Sequence, residues 1–198
     1  MNFTRGNQMV VHDPRLNNPG NSTATPPVPA SPLRPPGAKH TWTVQLSDTA
    51  AHIIGWTAKV ATDSGTIDAL HFMAHGNQGY LQIGADGFTA SNINLFEKYD
   101  GHVKNIVFFS CLVGSDLGNA AACGLESRIY AQRVAKKAKA RVIACNVNQV
   151  YSWGAAGIID FGGFEGEVYV IEADGCNFQI YSASSGNGLN LESLIFGS

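Results

Sequence analysis

The chain has 198 residues, 44% of them hydrophobic and 14% charged, with 13 basic and 15 acidic residues for a net charge of −2. That length can bury a core of ordinary domain size, and so low a charged fraction excludes a solvated, disordered chain. The near-neutral balance, with no basic stripe interleaved with aromatics, excludes an electrostatic nucleic-acid binder.

The N-terminus MNFTRGNQMVVHDPRLNN has no apolar core of a secretory signal, and no apolar run approaches a membrane span. A reducing cytoplasm is the expected compartment; export without a classical leader would look the same. The prolines all fall between Pro14 and Pro36, a stretch that can form neither a ladder nor a helix interior. Residues 1–38 therefore read as a Pro-rich tail or linker, and residues 39–198 as one domain.

From His40 onward strands and helices alternate. TWTVQL (41–46) alternates and is β-rich. Ser47 is placed to cap a helix over 48–62, with Ile53, Thr57, Val60 and Ala61 on one face. TIDALHFMA (66–74) is apolar on both faces, as a central parallel strand is. NQGYLQIGADG (77–87) reads as a hairpin with turns at Gly79 and Asp86-Gly87. TASNINLFEKY (89–99) is a short helix capped by Thr89 or Ser91, and VKNIVFFS (103–110) a second buried strand. After a Gly-rich loop, LESRIYAQRVAKKAK (125–139) buries Leu125, Ile129, Val134 and Ala138. Its basic cluster, continuing to Arg141, reads as a solvated face. ARVIACN (140–146) is a third buried strand, and GFEGEVYVIEADG (163–175) a strand ending in a turn. Such alternation implies a mostly parallel central sheet with helices on both faces, a three-layer α/β fold.

Two of the apolar strands stop at residues with catalytic chemistry. HFMA ends in His75-Gly76, and IVFF ends in Ser110-Cys111. In an open α/β sheet ligands sit outside the carboxyl ends of the strands. One right-handed crossover joins these two strands, so His75 and Cys111 are expected on the same edge. A histidine within reach supplies the base a thiol needs, and the N–H groups of Gly76 and Cys111 can serve a developing oxyanion. The four cysteines contain no C-x-x-C pair and no zinc spacing, so no metal is expected. Four could make two disulfides, but a domain this large does not need them. Cys145 and Cys123 read as core, Cys123 alternatively as a resolving thiol. His71 reads as a buried structural histidine or as support beneath His75. The Gly-rich stretch LVGSDLGNAAACG has neither G-x-G-x-x-G nor a Walker lysine.

HFMAHGNQG and IVFFSCLVG resemble the histidine and cysteine motifs of the caspase-like (clan CD) cysteine peptidases, and VYSWGAAG (150–157) resembles the strand that walls the caspase cleft. The resemblance spans about residues 66–165 and is closest to compact bacterial members. It implies a caspase-like three-layer sandwich and a cysteine endopeptidase working through a thioester acyl-enzyme, as an effector or self-processing protease. Cys111 would be the nucleophile and His75 the general base and acid. Gly76 and Cys111 would supply the oxyanion hole, and Ser110, Tyr151, Ser152 and Trp153 would line the substrate groove. No cofactor is implied. The partner would be a peptide or protein, with a homodimer through a sheet edge as a further option. Gly154 stands where caspases place the arginine that reads aspartate, so aspartate specificity is not expected. Two other readings stay open: a catalytically silent caspase-like interaction domain, and a flavodoxin-like domain holding an anion.

Overall fold

A computed structural model describes residues 3, 5–17, 37–114, 130–149, 152–153, 159–160, 164–182 and 190–197. Its centre is a seven-stranded sheet. The strands are β1 (Gln8–His12), β2 (His40–Thr43), β3 (Ala69–Met73), β6 (Asn105–Phe109), β7 (Arg141–Cys145), β10 (Glu167–Ile171) and β11 (Phe178–Ser182), in the order β11-β10-β7-β6-β3-β1-β2. The first five in sequence run parallel, and β10 runs antiparallel to both of its neighbours, β7 and β11. Two small hairpins stand apart: β4 (His75–Asn77) with β5 (Tyr80–Gln82), and β8 (Ser152–Trp153) with β9 (Ile159–Asp160).

The handedness rule for parallel crossovers explains the layers. The connections β2→β3, β3→β6 and β6→β7 all step the same way across the sheet, so right-handed crossovers put them on one face. There α1 (Ala50–Asp63), the 3-10 helix Ala90–Tyr99 and α2 (Tyr130–Ala138) pack Ile53, Phe96 and Val134 against Leu70, Phe72, Ile106 and Phe108. The β1→β2 connection steps the opposite way, and its ends, Leu16 and Ala38, pack on the other face. Phe3, Phe164 and α3 (Leu191–Phe196) join them over Met73, Val107 and Phe109. Among the described residues α3 is the one α-helix on that face.

The tail reading of residues 1–38 does not hold for its first part. Residues 8–12, QMVVH, are buried throughout and lie between β3 and β2. The reason is long-range pairing: Gln8 pairs with Ala69 and Met9 with His40, partners beyond any local pattern. Residues 18–36 fall outside the described set. Smaller corrections follow from hydrogen bonding. Thr49, not Ser47, caps α1, its Oγ1 accepting from the His52 N–H at 3.2 Å. Thr89 caps the segment after the hairpin, with Asn92 completing a capping box, but the segment is 3-10 and kinks at Asn92. No described helix is long and apolar enough to cross a membrane.

Candidate active site

The site grows from the register of β3 against β6. Leu70 pairs with Ile106 and Met73 with Phe109, a constant offset of thirty-six residues. The ladder continues through the Ala74 N–H, which donates to the Phe109 carbonyl at 3.2 Å. Carried one residue further, the same offset would bring the segment of His75 to that of Cys111. Gly76 supports this juxtaposition independently. A Cβ built on it would lie 2.7 Å from the Cys111 carbonyl oxygen and 2.8 Å from Ser110 Cβ. The backbone at Gly76 therefore lies directly against the Ser110 side chain and the Cys111 carbonyl, closer than any side chain permits.

Gly76 faces Leu81 across the β4–β5 hairpin, but Leu81 spends both its N–H and its carbonyl on Phe88. The two thus form a non-hydrogen-bonded pair, and the hairpin ladder does not consume the Gly76 N–H. His75 is half-buried; its backbone pairs with Gln82 across the hairpin, and its side chain makes no hydrogen bond to another described residue. Cys111 opens the turn that ends β6 and is also half-buried, with its Sγ 4.0 Å from the Gln149 carbonyl. The next residue, Leu112, has φ 58°, in the left-handed region that a leucine rarely occupies. The Leu112 N–H donates to the Val147 carbonyl at 3.3 Å and the Gly114 N–H to the Cys145 carbonyl at 2.8 Å. These bonds to the end of β7 hold the strained turn.

Ser110 is corrected. It is 2% exposed and lies beneath Gly76, so it packs under the site and does not line a groove. Tyr151 lies outside the described residues. Ser152 and Trp153 form β8. Gly154 and Cys123 also lie outside the described residues. In comparisons with known proteins, no family model, no curated protein and no solved structure matches this chain.

The neighbouring groups hold the site in place. His71, one step below on β3, has no exposure, and its Nε2–H donates to Gln8 Oε1 at 2.7 Å. Burial lowers its pKa to about 3, so it stays neutral. It is the structural histidine that the sequence admitted. Cys145 is also fully buried, its S–H directed to the Ser110 carbonyl at 3.2 Å, and burial pushes its pKa up to about 12. On the far side, the Gln149 amide bridges to the Glu165 backbone with two bonds of 3.1 Å. Asn146 Nδ2 and the Tyr169 hydroxyl both donate to Glu167 Oε2, at 2.8 and 2.7 Å.

Sequence reasoning missed one element of support. Asp13, at the carboxyl end of β1, is fully buried and accepts from Arg15 Nε at 2.7 Å and from the Gly84 N–H at 2.9 Å. Arg15 Nη2 in turn donates to the Gly84 carbonyl at 2.7 Å. This ion pair pins the loop after β5, and with it the hairpin carrying His75 and Gly76, to the central sheet. The D-x-R spacing was legible, but not its partner seventy residues away. The same node bears on anion binding. The parallel strands follow the order 2-1-3-4-5, whose switch point lies between β1 and β3. A buried carboxylate closed by its own arginine occupies that position.

Proposed function

We propose that the chain is a cysteine peptidase of caspase-like architecture, with Cys111 as nucleophile and His75 as base and acid. The observation that carries the reading is the meeting of His75-Gly76 with Ser110-Cys111 at the carboxyl edge of adjacent parallel strands. Within that reading, the Cys111 thiolate attacks the scissile carbonyl and His75 protonates the departing amine. The resulting thioester is opened by a water that His75 deprotonates. The N–H groups of Gly76 and Cys111 face the oxyanion. No hydrogen bond joins the two side chains here; in enzymes of this chemistry the base–nucleophile bond often tightens only with substrate bound. The β8–β9 hairpin would wall an extended peptide.

The test is peptide hydrolysis across a positional-scanning library, beside Cys111→Ala and His75→Ala. Each substitution should abolish turnover while leaving the unfolding temperature within a few degrees, since neither side chain is fully buried. The double variant should be little worse than either single one. Undiminished activity in Cys111→Ala would defeat the reading. The lack of a hydrogen bond between the His75 and Cys111 side chains favours a second one, a silent domain that binds a partner. Under it, no library peptide is cleaved and Cys111 alkylates no faster than an ordinary thiol.

A further inference from the structure

We propose that Cys145 is the resolving thiol for Cys111, so that oxidation of Cys111 by a peroxide ends in a Cys111–Cys145 disulfide and not in a sulfinic acid. Both are free thiols, whereas Cys176 is already disulfide-bonded. The Cys145 sulfur lies 3.2 Å from the Ser110 carbonyl oxygen, the oxygen of the peptide that joins Ser110 to Cys111. Peptide geometry puts that oxygen about 2.8 Å from the Cys111 Cα, so the Cys145 sulfur is within about 6 Å of that atom. The bonds from Leu112 and Gly114 to Val147 and Cys145 clamp the Cys111 turn onto the end of β7. Disulfides form between Cα atoms about 4.4–6.8 Å apart, so the Cys111 turn must bring the two into that range for the bond to close. The two thiols also sense each other, since Cys111 is among the groups that raise the pKa of Cys145.

Exposure sets the order of events. Cys111 is half-buried and within reach of a small oxidant, while Cys145 has no exposure and stays protonated. Hydrogen peroxide would transfer one oxygen to the Cys111 thiolate, giving the sulfenic acid and, once the leaving hydroxide takes up a proton from solvent, water. The Cys145 sulfur then attacks the Cys111 sulfur. The sulfenic hydroxyl leaves with the Cys145 proton as a second water, and the S–S bond forms. Two electrons pass from the thiol pair to the peroxide, and reduction by a dithiol reverses the change. Without Cys145, a second peroxide would carry Cys111 to the irreversible sulfinic acid.

The experiment treats the full chain with hydrogen peroxide, blocks remaining thiols with iodoacetamide and maps the digest by mass. The wild type should give a joined Cys111–Cys145 peptide about 2 Da lighter than the two thiol peptides together. Cys111 labelling should fall about tenfold and return after phosphine reduction. Cys145→Ala should give no joined peptide, a Cys111 peptide about 32 Da heavier, and no recovery. Cys145→Ser, closer in size, should behave alike and guards against loss of the fold. Wild-type Cys111 that goes to the sulfinic acid as fast as in Cys145→Ala would overturn the proposal. So would Cys111 left unmodified by peroxide. The readout is mass, so the result stands or falls separately from peptide hydrolysis.

Discussion

Replacing Gly76 by alanine tests the site at its tightest contact. The φ of Gly76 lies outside the left-handed region, so a methyl group there strains no backbone torsion and acts only through what it meets. It meets the Cys111 carbonyl oxygen at 2.7 Å, Ser110 Cβ at 2.8 Å and Ser110 Oγ at 3.0 Å. Carbon–oxygen contacts settle no closer than about 3.3 Å, so the hairpin and the Cys111 turn must separate by roughly 0.6 Å. Overpacking of this kind costs about 1–3 kcal/mol, a fall in unfolding temperature of roughly 3–10 °C for a chain of this size. A displacement of about 1 Å between reacting groups costs about a hundredfold in rate, so half of that should cost on the order of tenfold in kcat/KM. Thermal unfolding, hydrolysis and Cys111 alkylation would be measured together. Gly79→Ala is the control. Its φ of 68° makes alanine strained, but nothing lies within 4 Å of the new methyl group. It should lower the unfolding temperature without slowing Cys111. A Gly76→Ala protein with wild-type melting and wild-type alkylation would refute the packing of the hairpin on the cysteine turn.

Arg15→Ala leaves the fully buried Asp13 carboxylate uncompensated and should destabilise the chain by roughly 3–5 kcal/mol in urea unfolding, with a loss of turnover as the hairpin loosens. Acid should unfold the protein through His71 and His12, whose burial lowers their pKa values from 6.5 to about 3 and about 4. The unfolded chain binds these protons first, so stability falls as pH drops below 6.5, by up to about 1.4 kcal/mol per unit for each histidine until its folded pKa is reached. Urea midpoints that stay flat between pH 6.5 and 4.5 would contradict that burial. Removing residues 1–38 takes away β1, which pairs with both β2 and β3. The truncated chain should lose cooperative unfolding by circular dichroism; a stable, cooperative fragment would show that β1 is dispensable.

Much of the centre was legible in the amino-acid sequence. β3 and β6 are continuous apolar runs because both faces of each are covered, and such runs need no partner to be recognised. Their polar stops, His75 and Cys111, could be set on one edge because a single crossover joins neighbouring parallel strands in one hand. The hairpin turns and the cap at Thr89 carry their own local chemistry, in Gly79, Gly87 and Thr89, whereas the cap of α1 reads as Ser47 and lies at Thr49.

What the sequence could not hold was whatever depends on partners far along the chain. β1 has an apolar run of only three residues, Met9 to Val11, set beside a Pro-rich stretch. It is a strand only because β2 and β3 offer it hydrogen bonds on both sides. Ser110 reads as a groove residue from its place beside Cys111, yet the approach of Gly76 buries it. The pairing of Asp13 and Arg15 with Gly84, and of Cys145 with the peptide before Cys111, likewise exists only once the strands are in register. Periodicity records which faces of a segment are buried. It carries no information on which distant backbone covers them, and in this chain that covering brings the histidine, the thiols and the buried ion pair to one edge of the sheet.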